Sequence, residues 1–499
     1  MAWGRKRRAA PVVDDAAAAR TAWAIGMAWV ARAIGVARAA GAIGMVWIAG
    51  VIGIPAAAVA ESAAGGAQQQ ADAAQAQEDR IAELERTVAV LADELERTRS
   101  ELAVPEELSL SAKYGVGPAA AKIYDIARGL SIGGYGEGYY QNLVGDDGGG
   151  KDNADLLRAV LYTGYKFTDR ILFNSEIEFE HATTSSTKSS SGGSVSVEFA
   201  YLDFLLYDWA NLRAGLVLVP MGFVNELHEP VSFFGVNRPD VERQIIPSTW
   251  RENGVGVLGT LFEQVDYQAF VINGFNAEGF DSSGLRDGRQ SGNRALAEHL
   301  AFVGRLDWAP LSQLVVGGSV YHGRSGQNQN IAVTSALASY TVEIPDTPTT
   351  IWEVHAQYED YGLHLRSLFT MAEIGDSADL SAALAPVGVG GGIGELAAGE
   401  AVAGEMLGVY GEVAYDLMTL LFPDSSMSFE PFFRYEYYDT QRDVPNGFTS
   451  NPAKEIDVYT AGVSFQPIPQ VVIKADYRNR DAKSGTLPDE FNLGIGFVF

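Results

Sequence analysis

The 499 residues carry 63 acidic and 36 basic side chains, a formal charge of −27, with no cysteine, six histidines and 55 glycines. The missing thiols exclude thiolate metal sites, cysteine nucleophiles and a disulfide framework. So acidic a surface repels phosphates and excludes a nucleic-acid partner. Mean hydropathy is near zero, which argues against a bundle of apolar membrane helices.

The N-terminus reads as an address. Arg5-Lys6-Arg7-Arg8 is followed by the apolar run Ala42–Ile54, the helix breaker Pro55, and Ala58-Val59-Ala60 ahead of Glu61. This is the order of a secretory signal peptide over 1–60 with an A-x-A cleavage site, and Met27 and Met45 stand as alternative starts. The run is shorter than the roughly 20 residues of a membrane-spanning helix. An uncleaved anchor is the weaker alternative.

Residues 61–77 are an Ala/Gln/Gly-rich linker. Over 78–104, Ile81, Leu84, Val88, Leu91, Leu95, Thr98 and Leu102 recur at spacings of three and four, with charges such as Glu83, Arg86, Asp93 and Arg97 between them. A seam this narrow predicts a periplasmic coiled-coil helix that ends before Pro105. It is too short to hold alone and needs a scaffold that gathers copies. The alternative is a single amphipathic helix lying on its own barrel. Residues 105–128 read as a connector.

From Gly129 the period becomes two. In the last segment Phe491, Leu493, Ile495, Phe497 and Phe499 alternate with Asn492, Gly494, Gly496 and Val498. One face is large and apolar, the other small. That aromatic terminal strand resembles the assembly signal of Gram-negative outer-membrane proteins. About sixteen such segments are predicted, near 129–140, 155–167, 171–180, 194–206, 212–219, 254–262, 265–274, 299–308, 313–322, 350–358, 361–372, 406–416, 429–438, 457–466, 470–478 and 491–499. Most have the length at which a tilted strand crosses a bilayer. Their connections alternate between long (such as 220–253, 323–349 and 373–405) and short (such as Thr168-Asp169-Arg170 and Glu263-Gln264). Sorting by parity is the mark of short periplasmic turns and long outer loops. The fold class is therefore all-β: a 16-stranded antiparallel transmembrane β-barrel over 129–499, with both termini periplasmic, behind a short N-terminal α-helical coiled coil.

Alternation also assigns faces. With Leu157, Ala159, Leu161, Tyr165 and Phe167 turned to lipid, Arg158 and Lys166 turn inward, and so do Glu176, Glu178 and Glu180 on the next strand. By the same parity Arg213, Arg305, Asp307, His364, Arg366, Glu412, Glu430, Arg434, Glu436, Lys474, Asp476 and Arg478 line the interior. An Arg or Lys on the lipid face would cost about 2–4 kcal/mol at the midplane. Strand 194–206 has no clear parity. Opposed charges on such a wall set up a transverse field; the plainer reading is that they keep the lumen wet. The third long loop is rich in apolar and aromatic residues and is expected to fold against something. Its charges Glu226, His228, Glu229, Arg238, Asp240, Glu242, Arg243, Arg251 and Glu252 are the candidate pore constriction.

The stretch from Met221 to Gly256 holds the phrases N-E-x-H-E-P and I-I-P-S-T-W-R-E-N-G-V-G, and the first strand opens Leu130-Ser131-Ile132-Gly133-Gly134-Tyr135-Gly136-Glu137. On these phrases the chain, over about 107–499, resembles the phosphate-selective porin O and P family and related trimeric porins. The resemblance implies a sixteen-stranded homotrimer whose third loop narrows the lumen, and an N-terminal trimeric coiled coil as some relatives carry. Phosphate selectivity there rests on a dense arginine ladder and lysine clusters. No such run occurs here, and the substrate is not carried over.

The expected function is a passive diffusion channel for small hydrophilic solutes or ions in the bacterial outer membrane. The alternatives are a tether gripping the cell wall through the coiled coil and an outer-membrane enzyme with His228 or His364 as base. Neither histidine sits in a serine or metal-site motif, so no enzyme activity, metal or cofactor is expected. Asp146, Asp147, Asp152 and Asp155 are a calcium alternative, but their spacing matches no calcium loop and solvated surface is the expected reading.

Overall fold

The computed structural model describes residues 73–94, 111–145, 150–186, 191–334, 339–387 and 392–499. The chain divides into two units, one within 5–99 and one carrying everything from Ser100 onward. In the first, residues 73–94 are helical, with Ile81, Leu84, Val88 and Leu91 all exposed in the single chain. The signal peptide, the linker up to residue 72 and the seam from Leu95 to Leu102 lie outside the described residues. Among those described, no helix is long and apolar enough to cross a membrane.

The second unit is built from β1 (Gly129–Val144), β2 (Asn153–Thr168), β3 (Ile171–Glu180), β4 (Val195–Tyr207), β5 (Ala210–Leu218), β6 (Arg251–Leu261), β7 (Val265–Asn273), β8 (Leu300–Leu311) and β9 (Leu314–Arg324). A small hairpin, β10 (Asn330–Thr334) and β11 (Ser339–Glu343), follows. Then come β12 (Pro348–Asp360), β13 (Leu363–Ile374), β14 (Glu405–Tyr415), β15 (Ser428–Asp443), β16 (Glu455–Ile468), β17 (Val471–Ala482) and β18 (Asp489–Val498). All but the hairpin form one closed sixteen-stranded barrel in which every neighbour pair is antiparallel, sealed by β1 on β18 with Gly138 opposite Ile495. Closure leaves no free sheet edge, so the backbone N–H and C=O groups of the wall pair within it except where the register shifts.

The side chains are arranged opposite to those of a water-soluble core. Phe302, Leu306, Val354, Leu493 and Ile495 stand exposed on the outside, while Glu176, Asp203, Arg213, Arg434 and Glu436 are buried within. Phe167, Trp209, Phe262, Tyr361, Phe422 and Phe499 are exposed at the short-turn end, where interfacial aromatics are found in membrane barrels. Both ends of the barrel sequence lie at that same end, since β1 begins opposite Lys166 near the β2–β3 turn and β18 finishes beside β17's start.

Two of the long loops carry structure of their own: 323–349 holds the β10–β11 hairpin and 373–405 a helix, Ser377–Leu384. The third loop ends earlier than expected, because Arg251 and Glu252 already belong to β6. The connector is more than a tether. Its helix Pro118–Asp125 is buried inside the barrel against β1, β2 and β3. Pro118 starts the helix where its missing N–H costs nothing, and two wall glycines make room for it. A Cβ on Gly133 would stand 2.7 Å from the Ala119 carbonyl oxygen, and one on Gly164 would stand 3.0 Å from Ile123 Cδ1.

Candidate functional site

The segment between β5 and β6 crosses the barrel interior. Asn225 ties its two ends together: the side-chain amide donates to Val219 O at 2.6 Å and Trp250 O at 2.9 Å, and Asn225 Oδ1 accepts from Trp250 N at 2.6 Å. The far side of the loop meets β14–β17, which face β5 across the ring. Lys474 Nζ donates to the carbonyls of Phe233 (2.6 Å) and Gly235 (2.9 Å). Asp476 accepts from Val236 N at 2.6 Å, and Glu436 from Val241 N at 3.1 Å. Arg434 Nη2 donates to Asn237 O at 3.2 Å and Arg366 to Ser232 O at 3.4 Å, while the Arg366 guanidinium also lies over the Phe223 ring.

Most of the loop's carboxylates are used up in this anchoring. Glu242 is fully buried; it accepts from Phe223 N and Val224 N at 2.8 Å each, and from the Tyr410 hydroxyl at 2.6 Å. Asp240 meets Arg478 at 2.6 Å; burial alone would raise its pKa, but that guanidinium holds it below the usual carboxylate range. Glu226 accepts from Gln268 at 2.8 Å and lies 3.9 Å from Arg305, which itself donates to Gly222 O. Glu229 accepts from Ala119 N at 3.0 Å and Ala120 N at 3.4 Å, the first amides of the inner helix, where a carboxylate also meets the positive end of the dipole. Burial pushes Glu229 up to about 7 against those amides. Lys166 completes the clamp at the other end of the helix, donating to Tyr124 O (3.2 Å) and Ile126 O (2.7 Å). Glu252 accepts from Trp250 Nε1 at 3.2 Å, Gln290 N at 2.9 Å and Asn273.

The inward wall charges are also paired. Arg158 lies 2.9 Å from Glu137 and 3.2 Å from Glu178, and Arg213 meets Asp203 at 2.8 Å. Arg305 meets Asp307 at 2.8 Å, and Arg434 meets Glu436 at 2.8 Å and Glu412 at 3.1 Å. Arg251 bonds Glu198 at 2.8 Å. His364 lies on β13, 3.2 Å from Glu430 and 3.5 Å from Glu359, and belongs to no candidate metal group among the described residues. Of the calcium alternative, Asp152 accepts from Asn142 and Leu143 N, and Asp155 meets His181. Asp146 and Asp147 lie outside the described residues.

The exposed charge in the loop is basic. Arg243 is exposed and Arg238 half-buried. Sequence reasoning did not single out their neighbours Arg286 and Arg289, on the segment between β7 and β8. Arg286 donates to Ser248 O, and Arg289 Nη1 to Pro247 O at 3.1 Å. Burial and the guanidiniums of Arg289, Arg243 and Arg238 push Arg286 down to about 9, still charged at neutral pH. The signal was there in the run Arg286-Asp287-Gly288-Arg289, but nothing in its spacing says which loop it meets.

No family model matches the chain. It is 35% identical over 410 residues to an uncharacterized protein of Aquifex aeolicus, covering 81% of this chain and 87% of that one. Among solved structures, the chain is similar to a loop-deletion form of OmpT, an outer membrane protein of Vibrio cholerae (TM-score 0.47, 10% identity, 75% of this chain and 100% of that one). It is similar to the outer membrane channel DcaP of Acinetobacter baumannii (TM-score 0.45, 14% identity, 75% and 98%). It is also similar to an anion-selective porin from Comamonas acidovorans (TM-score 0.43, 11% identity, 74% and 99%).

Proposed function

The chain belongs to the same family as that Aquifex aeolicus protein, and we propose that its barrel is an outer-membrane porin, a passive diffusion channel for small hydrophilic solutes or ions. The observation that carries this reading is the inverted wall: apolar side chains exposed outside a closed ring, charged ones buried within. Such an exterior suits hydrocarbon, and a closed strand barrel is one of the two ways a chain can satisfy its backbone there. The short turns and both barrel ends then face the periplasm.

In this reading the loop 219–250 narrows the channel, and its selectivity follows from what pairing leaves over. Glu226, Glu229, Asp240 and Glu242 are engaged by backbone or cationic partners, whereas Arg243 is exposed among Arg238, Arg286 and Arg289. The net −32 of the chain after residue 60 sits elsewhere, and the passage favours anions despite it. The exposed seam of the 73–94 helix supports assembly as a homotrimer, in which three copies bury Ile81, Leu84, Val88 and Leu91 against one another. The test is electrical. Purified full-length protein in planar bilayers should give stepwise single-channel conductance, with reversal potentials in a salt gradient marking anion preference. A folded protein that never conducts ends the porin reading.

A further inference from the structure

The barrel wall between β3 and β4 has an irregularity whose effect is to aim one carboxylate. Glu176 pairs with Phe199 but Ile177 pairs with Val197, so Glu198 is the extra residue of a β-bulge. Glu198 and Phe199 are consequently both buried although adjacent. Bulges re-aim side chains, commonly at functional sites.

Here the bulge brings Glu198 Oε2 to 3.4 Å from His228 Nε2, while Glu176 Oε1 lies 3.3 Å from the same nitrogen. One ligand atom from each of the three residues falls within 4.8 Å of the others, and all three residues are buried. Bonds of about 2.0–2.1 Å in a tetrahedral metal site place neighbouring ligand atoms about 3.3–3.4 Å apart. Both His228 separations match that edge.

Two further observations point to a ligand. Glu198 Oε2, the atom on the His228 side, has no hydrogen-bond partner although the residue is only 1% exposed, and the second oxygen of the fully buried Glu176 carboxylate is likewise unpartnered while Oε1 faces the ring. Arg251 engages Glu198 through Oε1, which leaves Oε2 to the imidazole side. In addition, His228 Nδ1 lies 3.0 Å from Asn225 O, and Asn225 is itself held at the loop's neck. A ring nitrogen donating to a backbone carbonyl fixes the tautomer that offers Nε2 as a lone pair, the usual outer support of a metal-bound histidine.

We propose that Glu176, Glu198 and His228 bind a divalent transition-metal cation of the zinc class, with solvent as the fourth ligand, and that this ion fastens the loop to the wall. The site is independent of whether the channel conducts. It joins two strands to the loop's N-E-x-H-E-P phrase.

The experiment uses full-length protein purified in detergent without chelator. Metal content should be about one zinc-class ion per chain, and Co2+ loading should give the visible absorption of tetrahedral cobalt. Glu198→Gln and His228→Gln, checked as folded by heat-modifiable gel migration, should each weaken Co2+ binding by more than about 100-fold, beyond the loss of an outer-shell partner. X-ray absorption of the Zn2+-loaded parent protein should show one imidazole and otherwise oxygen ligands, a readout that does not depend on either variant folding. Folded parent protein that takes up neither Zn2+ nor Co2+ overturns the proposal, leaving a protonated imidazole between two carboxylates. Unchanged binding in both variants, or a shell of several imidazoles, overturns it equally.

Discussion

Two long connections of this barrel achieve order in opposite ways. The one after β9 folds on itself: β10 and β11 pair from Asn330–Glu343 to Thr334–Ser339, so its polar backbone groups meet one another. The one after β5 has no such ladder. Apart from short turns of its own, such as the helix Asp240–Gln244, it is held by side chains that bond its backbone, from its own Asn225 and Glu242 and from Lys474, Asp476, Glu436 and Arg434 across the ring. A loop that carries its own hydrogen bonds can sit anywhere. One that borrows them is held where its lenders are, and single substitutions can release it.

The largest effect is expected at Glu242. Glu242→Ala strands two buried amides and the Tyr410 hydroxyl, costing about 2–4 kcal/mol. The urea midpoint in detergent should fall and single-channel conductance should rise as the loop leaves the lumen. Next comes Asn225→Ala at the neck, where three buried bonds are lost, expected at about 2–3 kcal/mol in the same assay. The double replacement Arg238→Ala with Arg243→Ala removes exposed or half-buried charges, and its effect is on selectivity. Reversal potentials should move toward cations with little loss of stability, and unchanged potentials would reject a pore role for both arginines. The smallest effect belongs to the self-sufficient hairpin: Thr341→Ala, on its exposed face, should change stability by less than about 0.5 kcal/mol and leave conductance unaltered.

The wall strands were legible because lipid outside and charge inside impose a period of two on most of them, and β3 was placed to the residue. The aromatic content of 220–253 likewise showed a loop that needed a surface. The lack of parity in 194–206 had a physical cause, since a bulge at Glu198 turns two successive residues inward and breaks the period. The helix at 118–125 left no usable trace. It is eight residues long, and what holds it, Glu229 and Lys166, lies far along the chain. The cluster of Glu176, Glu198 and His228 was equally unreadable, assembled from two strands and a loop, with one member aimed by the bulge.

The recess at Gly133 and Gly164 bears on where this domain begins. Glycine weakens a strand because it offers its neighbours nothing to pack against; on β1 and β2 the missing bulk is supplied by Ala119 and Ile123. The first hairpin thus borrows its inner lining from residues that precede it. A chain trimmed to start at Gly129 would present a bare groove beside the closing seam with β18, so the smallest self-contained unit starts upstream of the helix rather than at the first strand.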